Sequence, residues 1–186
     1  MAYTLLAISG SLRKESYNSA LIRAWKELAP EGVTVDIVTA DEIRAFPPYD
    51  QDVEAAAYPA EAAQMKERIK KADGVLVATP EYNRSVPGVL KNVIDWTSRP
   101  YGQSAWQGKP VFVMGATGGA IGTALAQAAL KQVLSYLDAR VPGQPEFYAG
   151  NIKDKLDREG HLTDESTKEH IRAAYPVFLS FIDRNR

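Results

Sequence analysis

The segment Thr4-Leu-Leu-Ala-Ile-Ser-Gly-Ser-Leu-Arg-Lys-Glu-Ser-Tyr-Asn-Ser19 contains the pattern that indicates the fold class of this chain. Its first part is an apolar run ending at Gly10, long enough for a buried strand and too short for a helix. Its second part is a polar loop that leads into a segment with helical spacing of apolar residues from Leu21 to Leu28. A buried strand, a polar loop and a helix in this order predict the first unit of a parallel sheet.

The same alternation continues along the chain. Further strands are predicted at 33–39, 74–78, 111–114 and, less regularly, between Arg140 and Tyr148. Helical patterns cover 62–72, 89–94, 121–137 and 171–182. Because parallel neighbours need crossover helices, we expect an α/β fold with a doubly wound five-stranded parallel sheet of order 2-1-3-4-5. Residues 1–186 are expected to form a single domain with helices on both faces of the sheet.

Two segments depart from this regular pattern. Residues 41–59 contain three prolines and little periodicity, which indicates a long connection with one helical turn. Pro176 lies within the last helical pattern and predicts a kink there.

Composition and charge exclude several classes of protein. The chain has no cysteine, so disulfides, thiolate metal sites and cysteine nucleophiles are excluded, and redox chemistry requires a bound cofactor. With 22 basic and 23 acidic residues, the sequence lacks the positive charge expected of a nucleic-acid-binding protein. No apolar run is long enough for membrane insertion, and no export signal is readable, so we expect a cytoplasmic protein.

The loops after the first, third and fourth strands are the candidate ligand-binding segments, because ligands bind at the carboxyl ends of such strands. The first loop, 10–19, combines hydroxyls, a guanidinium and a helix N-terminus, as in a phosphate-binding site. The alternative is that Ser16 or Asn18 only caps the helix and that Arg13 is a solvated charge.

The other two loops suit a flat ring but also have plain structural explanations. Pro80 and Pro87 restrict the backbone of the loop 79–88, and Tyr82 offers a stacking surface. The same loop is also consistent with a rigid connection. The small residues of 115–120 permit close approach to a ligand, yet any tight turn uses glycine too.

In combination, these segments resemble a known family, the NADPH-dependent FMN reductases, which have a flavodoxin-like fold and include bacterial chromate, quinone and azo-dye reductases. The resemblance depends on 10–13 with Ser16 and Asn18, on 80–83, on 85–92 through Asp95 and Trp96, and on 115–119. It spans roughly residues 4 to 150.

The resemblance implies that the first loop holds the FMN phosphate, that 80–83 line the isoalloxazine ring and that 117–119 close its other side. The residues expected to bind FMN are Ser11, Arg13, Ser16, Tyr17, Asn18, Pro80, Glu81, Tyr82, Asn83, Thr117, Gly118 and Gly119. No catalytic side chain is expected, because the flavin performs the chemistry.

The implied activity is an NAD(P)H-dependent oxidoreductase that passes electrons through FMN to a small acceptor such as a quinone, an azo compound, chromate or free flavin. NADPH or NADH serves as the reductant. The alternatives are a flavodoxin-type electron carrier, to which the net charge of −1 lends little support, and a flavin-binding regulatory module. The resemblance also implies a homodimer or homotetramer, with 86–96 and the fourth long helix near subunit contacts.

The remaining candidate residues receive structural interpretations. His161 and His170 are expected to be solvated, and Asp50, Asp52 and Glu54 to be surface charges, so no metal site is predicted. Trp96, Tyr101 and Trp106 flank a loop, which is consistent with core, rim or interface positions, and packing at a subunit contact is the favoured interpretation. The prolines of 140–148 depart from the family pattern and leave any contact of Glu146 open.

Overall fold

The fold consists of strands connected by one or more helices. The computed structural model describes residues 2–186. Its elements are β1 (Tyr3–Ser9), α1 (Tyr17–Glu27), β2 (Val33–Ile37), α2 (Ala40–Arg44), α3 (Gln51–Ala56), α4 (Ala60–Lys71), β3 (Gly74–Ala78), α5 (Gly88–Thr97), β4 (Val111–Ala116), α6 (Ala124–Tyr136), β5 (Phe147–Ala149), a 3₁₀ helix (Ile152–Lys155) and α7 (Glu165–Arg184).

The five strands form one parallel sheet in the order β2-β1-β3-β4-β5, which confirms the predicted fold class. The register pairs Ser9 of β1 with Ala78 of β3, and Ala78 with Met114 of β4. The ladder extends past the strands, because Gly10 N–H donates to Ala78 O at 2.8 Å and Thr79 N–H donates to Met114 O at 2.9 Å. The loops after β1, β3 and β4 therefore begin side by side at one edge of the sheet.

Each face of the sheet is covered by its own apolar cluster. Alternate residues of β1 point to opposite faces, so Leu6 and Ile8 pack with α4, α5 and α6, while Leu5 and Ala7 pack with α1 and α7. On the second face the Trp25 ring lies 4.7 Å from the Tyr175 ring, centre to centre. No helix within residues 2–186 is both long enough and apolar enough to span a bilayer.

The irregular segments contain more structure than their sequence indicates. Residues 41–59 hold two short helices, α2 and α3, so the prediction of one helical turn was wrong. Thr39 begins α2 through a capping box with Glu42, and the Asp50 side chain caps α3. These helices are too short to show an apolar period, which explains the miss.

The end of the sheet is also shorter than predicted. β5 begins only at Phe147, and Arg140 makes a single isolated bridge to Pro110, so the strand predicted over 140–148 was too long. α7 continues through Pro176, which lies on its exposed side.

Trp96 and Trp106 lie in the core, which corrects their predicted place at a subunit contact. Both are 0% exposed. The Trp96 indole donates to Pro47 O at 2.8 Å, and the Trp106 indole donates to Thr97 Oγ1 at 2.8 Å. Because both ring N–H groups are satisfied internally, the rings can be fully buried. Tyr101, in contrast, is 88% exposed.

Candidate functional site

The three loops meet around one cavity of about 230 Å³ at the carboxyl edge of the sheet. It is lined by Ser11, Arg13, Ser16, Tyr17, Asn18, Pro80, Glu81, Tyr82, Ala116, Thr117 and Gly118. The structure thus brings together all the predicted binding residues except Asn83 and Gly119. Ala116, the last residue of β4, is an addition that the apolar strand pattern did not mark.

The first loop ends at a helix N-terminus that has free N–H donors. Ser16 is the N-cap of α1, and its hydroxyl accepts the N–H of Ser19 at 3.2 Å. Within residues 2–186 the N–H groups of Tyr17 and Asn18 have no hydrogen-bond acceptor. Free N–H groups at the positive end of a helix are the donors that a phosphate needs.

Arg13 adds a guanidinium to this end of the cavity. Its side chain lies over the Tyr17 ring, 4.7 Å from the ring centre, and donates to the carbonyl of Glu15. A guanidinium has five N–H donors, so most remain available for an anion. No carboxylate in the described part of the chain forms an ion pair with it.

The side chain of Asn18 bonds to the end of β4. Its side chain is buried, donates through Nδ2 to Ala116 O at 3.0 Å and accepts the N–H of Ala116 at 2.9 Å. The amide therefore joins the first loop to the end of β4, and only the backbone N–H of Asn18 is free for a phosphate. This pairing spans 98 positions of sequence, so no local pattern could indicate it.

The second loop is a tight two-residue turn. Tyr82 N–H donates to Ser85 O at 3.3 Å, and Ser85 N–H donates to Tyr82 O at 3.1 Å. The two residues between them, Asn83 and Arg84, have φ angles of 50° and 64°, as in the turns favoured by β-hairpins. The turn leaves Tyr82 51% exposed at the rim of the cavity and places Asn83 at its tip, outside the lining.

Glu81 connects the second loop to α6. Its Oε2 accepts the N–H groups of Leu125 at 3.0 Å and Ala126 at 3.2 Å. The N-cap residue of α6, Thr123, makes no side-chain cap, so the carboxylate of Glu81 supplies it from a distant loop. Glu81 thereby fixes the second and third loops relative to each other.

In the third loop, glycine is required at position 115, where the loop begins, but not at position 118. A Cβ on Gly115 would lie 1.8 Å from Thr123 Oγ1 and 2.6 Å from Thr79 O, so only glycine fits there. A Cβ on Gly118 would meet only the Tyr17 ring, at 3.8 Å, across the cavity. Thr117 is anchored on its other side, since its N–H donates to Ala149 O at 3.1 Å.

Glu146 lies outside the cavity lining and pairs with residues of its own neighbourhood. The Tyr148 hydroxyl donates to it at 2.6 Å, and Lys131 lies 3.4 Å away. The hydrogen bond from Tyr148 lowers the pKa of the Glu146 carboxyl. The same bond raises the pKa of Tyr148 to about 12.

The other candidate groups remain on the surface. His161 lies beside Asp157 at 3.3 Å, and with Glu159 these exposed residues form a small cluster away from the cavity lining. Asp157 already accepts the backbone N–H groups of Glu159 and His161. The His170 ring packs 5.2 Å from the Phe147 ring. Asp50 and Asp52 are exposed, and Glu54 accepts the Tyr49 hydroxyl at 2.7 Å.

The fold and the site together define a class of protein. A doubly wound parallel sheet of order 2-1-3-4-5, whose loops after β1, β3 and β4 meet around one cavity, is a flavodoxin-like α/β fold. The chain belongs to the NADPH-dependent FMN reductase family, whose model matches residues 3–154.

Individual relatives support this membership over the full chain. The chain is 41% identical to a 2-hydroxy-1,4-benzoquinone reductase of Burkholderia sp, with 100% of both chains covered. It is 46% identical to a quinone reductase of Pseudomonas putida, covering 99% of this chain and 97% of the relative. Among solved structures it is similar to FerB, a flavoenzyme NAD(P)H:(acceptor) oxidoreductase from Paracoccus denitrificans, with a TM-score of 0.89, 38% identity and 99% of each chain covered.

The chain is therefore an NAD(P)H-dependent flavin oxidoreductase, and its cofactor is FMN. These findings favour the enzyme over the flavodoxin-type electron carrier, the alternative that the sequence left open.

Proposed function

We propose that this enzyme reduces quinones at the cavity between the three loops. The observation that carries the proposal is the half-exposed Tyr82 at the rim of a recess whose inner end is an anion-binding helix N-terminus. Such a recess suits a phosphorylated ring whose outer face stays accessible to a second flat molecule. The quinone reductases of Burkholderia sp and Pseudomonas putida act on acceptors of this shape.

The residues of the cavity fit FMN. The free N–H groups of Tyr17 and Asn18, the Ser11 and Ser16 hydroxyls and the Arg13 guanidinium would hold the phosphate. The ring would lie between Pro80, Glu81 and Tyr82 on one side and Thr117 and Gly118 on the other. Asn83 and Gly119 would contribute only through the turns that shape these walls.

The protein contributes to the reaction by positioning the cofactor and the substrates. When bound, FMN supplies the redox chemistry, taking up electrons from NAD(P)H and releasing them to the acceptor. Arg13 and the α1 N-terminus fix the phosphate end, while Asn18 and Glu81 hold the three loops at fixed separations. We assign no proton-transfer role to any side chain of the cavity.

Anaerobic reduction by NADPH is the direct test. We expect the yellow, FMN-loaded protein to lose its visible absorbance on addition of NADPH and to recover it when benzoquinone is added. The absorbance near the flavin maximum, followed in a sealed cuvette, is the measurement. A protein that stays yellow with excess NADPH and with excess NADH would refute the proposal. Bleaching without recovery would refute the assignment of quinones as acceptors.

We also propose that the protein is a single FMN-binding domain that acts in the cytoplasm as a homodimer or homotetramer. Tyr82 is exposed at the cavity, and three more large apolar residues are exposed on the neighbouring segments, Ile121, Leu125 and Tyr148. They are contiguous, since Gly122 packs against Tyr148 and Glu81 caps α6 at Leu125. An exposed apolar patch of this kind is typical of a subunit contact.

A charge in this patch is expected to weaken the assembly. Ile121 is 56% exposed, so Ile121→Glu should leave the monomer folded while placing a carboxylate in the contact. Light scattering on a sizing column measures the result, with Val53→Glu on α3 as the matched control. Dissociation of the Ile121 variant alone is expected, and an unchanged mass would refute the contact.

A further inference from the structure

A second, larger groove adjoins the FMN cavity. It has a volume of about 590 Å³ and runs between residues 13–17 on one side and 153–160 on the other. Arg13, Ser16 and Tyr17 line both the groove and the FMN cavity. The groove and the cavity therefore share part of their lining, so a ligand in the groove would lie beside the phosphate-binding end of the cavity.

The groove is positively charged although the chain as a whole has a net charge of −1. Its cationic residues are Arg13, Lys14, Arg23, Lys153 and Arg158, against the acidic Glu15, Asp157 and Glu159. In the part of the chain that the structure describes, none of these five cations forms an ion pair. Unpaired cations collected in a concave site attract an anionic ligand.

Two of the three acidic residues of the groove, Asp157 and Glu159, have local partners. Asp157 accepts the N–H groups of Glu159 at 2.9 Å and His161 at 2.8 Å. Glu159 lies 3.7 Å from the His161 ring. Arg23 is partly buried and donates to Gly160 O at 3.2 Å, which holds the loop 156–160 against α1. The far wall of the groove is thus a fixed loop that presents Lys153 and Arg158 to solvent.

We propose that this groove binds the phosphorylated adenosine end of NADPH. The inference rests on the proposed function, because the nicotinamide must reach the FMN cavity while the rest of the dinucleotide lies along a connected surface. Arg13 lies at the junction with the FMN phosphate loop and Arg23 holds the loop 156–160, so Lys153 and Arg158 are the far-wall cations available for a second phosphate. NADH carries a hydroxyl where NADPH carries the 2′-phosphate, so these cations favour NADPH.

Removal of the two exposed cations tests the inference by kinetics. We expect the Lys153→Ala/Arg158→Ala enzyme to show a KM for NADPH raised about tenfold or more, with a change of less than about twofold for NADH. Its kcat and its FMN content are expected to stay at the wild-type level. Lys26→Ala, which removes an exposed cation of α1 outside the groove, is the matched control and should change neither KM. Equal effects on NADPH and NADH, or no effect on either, would overturn the inference.

Direct binding separates this inference from the proposed function. Isothermal titration of the FMN-loaded wild-type protein with adenosine 2′,5′-bisphosphate is expected to show binding, and the affinity of the double variant is expected to be about tenfold lower. 5′-AMP is expected to bind both proteins weakly and with equal affinity. Bisphosphate binding that is equal in the wild type and the double variant overturns the groove assignment, even where NADPH still bleaches the flavin. A wild-type protein that NADPH and NADH both fail to reduce defeats the proposed function, whatever the bisphosphate titration gives.

Discussion

Replacing Asn18 with alanine is expected to lower the free energy of unfolding by about 2–4 kcal/mol and to weaken FMN binding more than any other change in the first loop. The variant loses two hydrogen bonds and leaves the buried N–H and C=O of Ala116 without partners. It also releases α1 from the end of β4, so the phosphate-binding and ring-lining loops are no longer held together. Urea unfolding and flavin fluorescence titration measure the two effects.

The chain contains a matched control for this change. Asn92 makes the same pair of bonds in another place, donating to Pro47 O at 2.8 Å and accepting the N–H of Tyr49 at 2.8 Å. Asn92 does not line the FMN cavity. Asn92→Ala should therefore cost similar stability and leave the FMN affinity of the folded protein unchanged. If the two variants bind FMN equally well, Asn18 does not position the site.

Replacing Arg13 with alanine is expected to weaken FMN binding by about ten- to a hundredfold with little change in stability. A charge-assisted hydrogen bond contributes about 1.5–3 kcal/mol, and the exposed Arg13 makes only a backbone bond and a ring contact in the protein itself. Flavin titration at two salt concentrations measures the loss, which should be smaller at high salt because salt screens exposed charges.

Two further substitutions serve as comparisons for the Arg13→Ala variant. Arg13→Lys retains the charge but loses the planar donor fork, so an intermediate affinity is expected. Lys14→Ala removes the neighbouring exposed cation, which does not line the FMN cavity, and should change FMN affinity by less than about threefold. An Arg13→Ala protein with wild-type FMN affinity would return Arg13 to the class of solvated surface charges.

The strand pattern made the sheet predictable, and the sheet made the place of the site predictable. The apolar runs at 5–9, 74–78 and 111–114 are fully buried, and burial on both faces is what produces such runs. The order of strands and helices then requires that the three polar loops meet at one edge. The short helices α2 and α3 were not predicted in this way, because they have no apolar period. They begin instead at side-chain caps.

The burial of the two indole rings could not be predicted from their positions in the sequence. Trp96 and Trp106 flank a loop in the sequence, which suggested a contact surface. Their N–H groups find acceptors at Pro47 and Thr97, and with those bonds both rings are buried in the core. Whether a large aromatic residue is core or surface depends on such partners, which the flanking sequence does not reveal.

Patterns of neighbouring residues were sufficient to predict the parallel sheet, the three loops and, through their combined motifs, the family. The contacts of Asn18 and Glu81, and the cationic groove beside the FMN cavity, were found in the three-dimensional structure alone. Asn18 meets Ala116, Glu81 meets the start of α6, and residues 13–23 face 153–160 across long intervals of chain. Such contacts arise from strand order and crossover geometry, so their partners become neighbours only when the chain has folded.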